Sequence, residues 1–342
     1  MVKRMGSGSF RFEHTPRIIS HAAVVGKKEG EGPLRDCFDK VFKDNLAGED
    51  TWEKAESRFV QEAVGLCIDK SGLSSGDIDA IFSGDLLNQC VASTYGLRSY
   101  QMPDVGMYGA CSTMALTMIT ASTLLAAGGA NRCIAATSSH FSSAERQYRN
   151  PLQYGGQRTP TAQWTVTGSG AVMLSTDEAD KGTVTVQRAT LGIVRDMGIK
   201  DANNMGAAMA PAAADTLIRF MQHHSASPED YDMILTGDLA EVGSKLFVEL
   251  LEREGIQGVA ERHNDCGMMI FDREKQDVHS GGSGCGCSAS VLCGHILPRM
   301  ERGDLRRILF IATGALQNPT VSLQGETVPG VAHAVELCVL IG

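Results

Sequence analysis

The chain has no apolar run approaching the roughly 20 residues that a membrane-spanning helix needs. Its start, MVKRMGSGSFRF, carries basic residues with no apolar segment behind them, so a secretory signal is not expected. Positive charge is also in deficit. There are 31 Lys and Arg against 40 Asp and Glu, a formal net charge of -9. No basic stripe is visible, which argues against nucleic acid and against bare anionic lipid as partners. The expectation is an intracellular protein that meets membranes only through protein partners. Aromatic residues are scarce, at 6%, so Ala, Val, Ile, Leu and Met must build the core. The 10 cysteines form no short disulfide framework. Most sit in apolar segments, as Cys67, Cys133, Cys293 and Cys338 do, and are expected as reduced thiols.

What the chain does have is a repeat. Its 342 residues suffice for one large domain or for two halves sharing a core. Residues 77–86 read DIDAIFSGDL and residues 230–239 read DYDMILTGDL, identical at six of ten positions without a gap. Each copy reads as a buried strand ending in a Gly-Asp turn. A weaker match follows in the same order. Residues 111–137 run from CSTMAL to IAAT, and 287–313 from CSASVL to FIAT. The second half therefore carries an insertion of 23 residues containing or adjoining HNDCGMMIFDREKQDVHSGGSG.

Strand, loop, helix and strand in each unit predict an α/β chain with a mostly parallel sheet covered by helices. A helix is expected over 52–69 with Thr51 as N-cap, and a buried one over 112–127 stopped by Gly128-Gly129. A strand should follow over 132–137. Residues 141–165 read as a long loop. The halves divide at 186/187.

Cys111 is the first candidate for chemistry. It stands in Tyr108-Gly109-Ala110-Cys111-Ser112-Thr113, where a turn should enter a helix. The helix dipole and free N–H groups there would favour thiolate. A buried structural cysteine is the competing reading. Cys285-x-Cys287 with Cys266 and His263 hints at zinc, but no paired C-x-x-C appears. Gly281, Gly282, Gly284 and Gly286 lack the Lys-Ser/Thr of a phosphate loop. They could simply let two segments pass closely.

A cysteine at the start of a buried helix in a duplicated α/β chain resembles the thiolase and ketoacyl-synthase superfamily. That resemblance implies two duplicated βαβ-type halves with mixed five-stranded sheets and buried central helices. It puts the nucleophile at Cys111. The thiolase histidine or ketoacyl-synthase asparagine would fall at Cys285, and the ketoacyl-synthase histidine near Gly237 or Asp238. Neither position holds the expected residue. Cysteine and aspartate replace them poorly as oxyanion donors or proton shuttles. His263, in HNDCG, is a candidate substitute.

A second resemblance is more specific. GDLLNQ (84–89), YGACST (108–113), ATSSH (136–140), AERQYRNPLQYGGQ (144–157), TVTGSGAV (165–172), MAPAAADT (209–216), LTGDL (235–239), HNDCG (263–267) and GGSGC (281–285) occur in this order. Over residues 10 to 340 the chain resembles the stage V sporulation protein AD family, thiolase-like proteins of spore-forming bacteria. The resemblance implies a non-catalytic binder of dipicolinic acid, as free acid or calcium chelate, that supports its transport in sporulation and germination. It implies a location in the forespore and spore, peripheral at the inner spore membrane. Its partners would be the integral-membrane proteins of the same operon, and a homodimer by analogy with related proteins.

Dipicolinate is a flat pyridine with two carboxylates. It needs cationic or N–H donors, a slot for the ring and acidic oxygens for any calcium. The expected ligand-binding residues are Asp85, Asn88, Cys111, Ser112, His140, Arg146, Arg149, Asp238, His263, Asn264, Asp265 and Cys285. Backbone N–H groups of Cys111 and Ser112 would face a carboxylate. Arg146, Arg149 and Arg158 would reach over the mouth. Asp85, Asp238 and Asp265 would lie near a calcium brought in with the ligand, and no other cofactor is expected. Two plainer readings stand beside these: a solvated or dimer-facing arginine loop, and aspartates that cap the following helices. Two rival functions also stand, an acyltransferase using Cys111 and a structural scaffold for membrane channel subunits.

Overall fold

The computed structural model describes residues 1–148 and 158–340. Ten strands carry the architecture. They are β1 (Arg17–Val25), β2 (Ala80–Gly84), β3 (Asp104–Gly106), β4 (Arg132–Ser139), β5 (Gly168–Ser175), β6 (Val184–Thr190), β7 (Met233–Thr236), β8 (His263–Asp265), β9 (Arg307–Ala315) and β10 (Gly330–Val339). They lie side by side in the order β8-β7-β9-β10-β6-β1-β5-β4-β2-β3. Pairing is mixed. β2 is parallel to β3 and β4, and β7 to β8 and β9, while β5 and β10 run antiparallel to their neighbours. Among the described residues, β6 and β1 join the two groups of the sheet, through Val184–Ile18 and Thr185–Arg17.

Among the described residues, this frame places the helices α1 (Trp52–Ser71), α2 (Val91–Leu97), α3 (Thr113–Ala126), α4 (Phe141–Tyr148), α5 (Met205–His224), α6 (Ala240–Arg253), α7 (Cys266–Met269) and α8 (Cys285–Val291), with two further short ones at Leu297–Glu301 and Pro319–Leu323. The strands are apolar at successive positions because both faces are covered. On β4, Cys133 and Ala135 pack toward α3 and α8, whereas Ile134 and Ala136 pack with Phe59, Val60 and Val64 of α1. On β9, Ile308 and Phe310 join the same central cluster, and Leu309 and Ile311 meet Leu217 and Phe220 of α5. The result is five layers, with α3 and α8 in the middle. A helix held between two sheets needs small or apolar residues all round, which is why α3 reads TMALTMITASTLLA.

Local signals behave as expected. Thr51 Oγ1 accepts from Lys54 N at the start of α1, and Gly128 takes a left-handed φ of 74° after α3. The repeated aspartates are backbone anchors. Asp79 Oδ2 accepts from Asn131 N and Arg132 N at 2.7 and 3.0 Å. Asp232 Oδ2 accepts from Arg306 N and Arg307 N at 2.7 and 2.9 Å. The connection from β8 to α8, residues 266–284, is longer than its counterpart 107–112 in the first unit and accounts for part of the difference in length.

Two expectations change. The loop over 141–165 begins as helix α4, whose Ser143 and Ala144 are buried, and ends in Trp164–Thr165, which pairs with Gly282–Ser283. Arg149 lies outside the described residues. The boundary at 186/187 falls inside β6. Among the described residues, no helix is long and apolar enough to cross a membrane.

Candidate functional site

The site forms where the ends of β2, β7 and β9 meet the starts of α3 and α8. The turn into α3 is tight. Ser112 Oγ donates to Gly109 O at 2.6 Å, and Ser112 N donates to the same oxygen at 3.1 Å. Ala110 is held at φ 50°, a left-handed conformation that costs a residue with a side chain about 1 kcal/mol or more. This bend sets Cys111 at the mouth of α3. Gly314 of β9 permits it, because a Cβ there would lie 2.5 Å from Gly109 O.

Cys111 Sγ is 4.0 Å from Ser283 Oγ, which is 3.3 Å from Asp238 Oδ2. Asp238 also receives Gly284 N at 2.8 Å and Thr313 Oγ1 at 2.7 Å. Burial pushes its carboxyl up to about 7 despite those donors. The Cys111 thiol is raised well above its ordinary value, by burial first and then by the Asp238 charge. This overturns the expected thiolate: the dipole of α3 is outweighed by desolvation and a neighbouring carboxylate. Cys285 joins Cys111 in one buried cluster with Leu86 and Ala144. Its thiol donates to Ser138 O at 2.9 Å and is likewise raised, burial being the main cause. Gly286 lies so close to β5 that a Cβ would meet Gly168 O at 2.4 Å, so this glycine does serve close passage.

Two spaces adjoin Cys111. An inner chamber of about 30 Å³ is walled by Leu86, Cys111, Ala144, Ser283 and Ala315, with Tyr108, Tyr148 and Gln317 on its outer side. That is room for about two waters. An outer cleft of about 240 Å³ shares Tyr108, Tyr148 and Gln317 and is completed by Leu87, Asn88, Gln89, Leu316 and Asn318. Between them the Tyr108 and Tyr148 hydroxyls stand 3.0 Å apart, and Tyr148 donates to Leu86 O. Among the described residues lining either space there is no Lys, Arg or His.

Several expected site residues have other duties. Asp85 is buried and accepts from Leu87 N, Ser93 N and Ser93 Oγ at 2.8, 2.8 and 2.7 Å, so it holds the start of α2. Asp265 accepts from Thr236 Oγ1, Leu239 N, Ala240 N and Met268 N. The capping reading, made for Asp85 and Asp238, describes Asp85 but not Asp238, whose carboxylate meets Ser283, Gly284 N and Thr313 instead, while Asp265 is the N-cap of α7. His140 bonds Asn45 O through Nε2 at 2.7 Å and receives Ser142 N at Nδ1, which fixes a neutral ring beside Phe59. Arg146 pairs with Glu53 and lies over Trp52, away from the mouth. Arg158 pairs with Asp277 at 2.7 Å and stacks on Trp164. Ser112 N–H is already used by Gly109 O, so it is not offered to a carboxylate.

His263 is no substitute base for Cys111. Its Nε2 is 2.8 Å from Thr236 Oγ1, and it lines a different surface groove together with Asn264 and Asp265. Burial lowers its pKa to about 4. Asn88 does reach the outer cleft. Among the described residues no group of three or more His, Cys, Asp or Glu could hold a metal ion, which covers the Cys285, Cys287, Cys266 and His263 set.

The sequence reading missed Tyr148, Ser283, Thr313 and Gln317 as site residues. Ser283 lies in the quoted GGSGC and Thr313 in FIAT, so both carried a signal. Tyr148 lies in the quoted AERQYRNPLQYGGQ, so it too carried a signal, whereas Gln317 carried none and only the fold brings it to the site.

Comparison with known proteins agrees with this geometry. The family model described as Stage V sporulation protein AD matches residues 6–338. Stage V sporulation protein AD of Bacillus subtilis (strain 168) is 44% identical over 334 residues, covering 98% of this chain and 97% of the relative. Among solved structures, 3-oxoacyl-[acyl-carrier-protein] synthase III from Aquifex aeolicus VF5 superposes with a TM-score of 0.57 at 12% identity, covering 94% of this chain and 99% of that one. Cerulenin-bound OleA of Xanthomonas campestris gives 0.60 at 13% identity, covering 96% and 97%. At such identities the likeness concerns the fold, which is of the thiolase-like, condensing-enzyme type.

Proposed function

The chain belongs to the stage V sporulation protein AD family, and from that premise we propose that it serves sporulation as a non-catalytic binder of dipicolinic acid, taken as free acid or calcium chelate. Its role is to support movement of that acid into the forming spore and out at germination. It would act inside the forespore and spore, at the inner membrane, beside the integral-membrane proteins of the same operon. The two strand groups would descend from a duplicated half. The exposed edge strand β3, with Val105 at 44% exposure, is the natural seam for a homodimer.

The observation that carries the non-catalytic reading is the company Cys111 keeps. A condensing cysteine needs a thiolate and a proton shuttle. Here the thiol is raised, its neighbour Asp238 carries negative charge or a proton of its own, and Cys285 is a second raised thiol. The lining described offers no basic side chain. The same lining bears on the ligand's form. Among the described lining residues a dianion meets no cation, which favours the calcium chelate, whose charges cancel, over the free dianion.

One feature favours the rival acyltransferase reading, namely the strained Ala110 bend that presents Cys111 at a helix start. Two experiments separate the readings. Calorimetric titration of dipicolinate, with and without calcium, should give saturable heat that is stronger with calcium. Incubation with acyl-CoA should leave Cys111 unlabelled by mass spectrometry. Covalent acylation of Cys111 without dipicolinate binding would sink the binding proposal. Failure of both, with spore dipicolinate lowered only by surface substitutions, would point to the scaffold.

A further inference from the structure

We propose that the open edge of the ribbon formed by residues 2–12 is the docking surface for the integral-membrane partners, which add an acidic, extended segment to it as a further strand. The inference rests on the partner reading above and adds which surface is used and what chemistry the partner presents.

The ribbon is an antiparallel pair, Val2–Gly6 against Ser9–Phe12. Its second strand joins the main sheet, where Ser9, Phe10 and Arg11 face Thr190, Ala189 and Arg188 of β6. Among the described residues its first strand pairs with nothing further. The turn between them is fastened. Ser9 Oγ lies 2.8 Å from His223 Nδ1, Leu191 N donates to Gly8 O at 2.8 Å, and Arg219 donates to Ser7 O. The His223 ring packs so closely on Gly6 that a Cβ there would stand 2.5 Å from it. A fraying segment lacks such ties.

The backbone of the first strand is offered outward. Glu13 N donates to Met1 O at 2.8 Å, which continues the pairing. Opposite residues of an antiparallel pair alternate between bonded and non-bonded. With Met1 and Glu13 bonded, Lys3 and Arg11 are the next bonded pair, and Val2 and Arg4 turn their N–H and C=O to the open edge. Such an edge is a template for another strand. It is ill suited to a bilayer, because hydrocarbon leaves these groups without partners.

Charge gives the partner its chemistry. The register sets Lys3 opposite Arg11 and Arg11 opposite Arg188, three cations in a row on one face. Like charges directly opposite are destabilising. Arg188 is answered by Glu336, which Arg307 shares. Among the described residues, Lys3, Arg4 and Arg11 have no acidic partner, and all three are exposed. Basic side chains also blunt an edge against self-pairing. That accounts for Lys3 and Arg4 but not for Arg11, which stands on the inner strand between two other cations. Lys3 and Arg4 point to opposite faces of the ribbon. An incoming strand therefore needs acids at successive positions, one for each face. In a chain of net charge -9, this edge is where an acidic segment is attracted.

The test is co-sedimentation of the full chain with membranes containing the integral-membrane proteins of the operon, beside protein-free phosphatidylglycerol vesicles. The double variant Lys3→Glu, Arg4→Glu reverses the charge. Arg4→Thr and Arg4→Pro lose the same cation, but proline alone loses the outward N–H, and an edge strand tolerates it. Thermal melting identifies the folded variants. The bound fraction is expected to fall about tenfold or more on charge reversal, and about threefold further in Arg4→Pro than in Arg4→Thr. Binding by the charge-reversed variant equal to that of the unsubstituted chain overturns this docking edge while leaving the partner reading intact. Equal binding by Arg4→Pro and Arg4→Thr overturns strand addition. Equal binding of the unsubstituted chain to the protein-free vesicles overturns the acidic segment in favour of lipid. No sedimentation of the unsubstituted chain with either membrane overturns this inference and the partner reading together.

Discussion

Asp238 receives a 2.8 Å hydrogen bond from the backbone N–H of Gly284. The acid after β7 is thereby fastened to the residue that opens α8, alongside Cys111. Thr313 bonds the carboxylate from the β9 side at 2.7 Å. Burial still wins, and the group titrates at about 7. Because this folded-state value lies above the ordinary 3.8, the folded chain holds the proton more tightly than the unfolded one. The resulting stability is present at low pH and is lost as pH rises from about 4 to about 7.

Asp238→Asn mimics the protonated acid and removes this titration. Relative to the unsubstituted chain, the variant should gain about 1–3 kcal/mol between pH 5 and pH 8. Urea unfolding at the two pH values measures it. A difference that does not change with pH would mean that the carboxyl is not neutral in the folded chain.

Asp85 occupies the matching place in the first repeat but has a different duty. Asp85→Ala would strand the N–H groups of Leu87 and Ser93 and the Ser93 hydroxyl. Losing a cap with buried donors costs about 2–4 kcal/mol. Asp85→Asn, which keeps one acceptor, should cost less. Denaturant midpoints for both, compared with calcium dipicolinate affinity, should show that Asp85 governs folding of the α2 region. Unchanged stability with lost binding would restore Asp85 to the ligand site.

The two aspartates mark how much was legible. DIDAIFSGDL and DYDMILTGDL disclosed the strands, and Asp79 and Asp232 make the same backbone bonds in both halves because the repeat preserves local geometry. Cys111, Asp238 and Cys285 lie near one another because each stands at the end of a regular element. The charged expectations fared worse. Arg146 meets Glu53 across 93 residues of chain and Arg158 meets Asp277 across 119, pairings no local pattern encodes. The cleft has the same difficulty. Its walls come from residues 87–89, 108, 148 and 316–318, which share neither period nor motif. The direction of the Cys111 shift was misread because a helix start was visible in the sequence, whereas burial and the charge of Asp238 were not.

Cys111 should react slowly. At pH 8 a buried thiol raised by desolvation and by Asp238 has little thiolate. Alkylation by iodoacetamide in the native chain is expected at least about tenfold slower than for a free thiol at the same pH. Peptide mass spectrometry over time gives the rate, and Cys111→Ser identifies the peptide. Labelling faster than the free thiol would mean that the Cys111 thiol is lowered, not raised, and would strengthen the acyltransferase reading.

Histidines oppose the buried acids in acid solution. His224, His263 and His333 are each lowered to about 4, burial being the leading cause. A histidine kept neutral in the fold contributes stability that is present above about 6.5 and is lost as pH falls toward 4. Glu29 at about 7, Asp265 at about 6 and Asp238 at about 7 act in the opposite sense over much of that window. The stability of the whole chain should therefore vary less with pH than any one of these groups would suggest. His333 offers the cleanest separation. It is buried, and its Nδ1 accepts from Gly192 N at 3.1 Å, a bond that a glutamine oxygen can replace. His333→Gln should gain about 1–3 kcal/mol on the unsubstituted chain as pH falls from 7.5 to 5, opposite in direction to Asp238→Asn. Urea unfolding of both variants at pH 5, 6.5 and 8 checks the pair. Shifts of the same sign would mean that one of the two groups carries the other charge state in the folded protein.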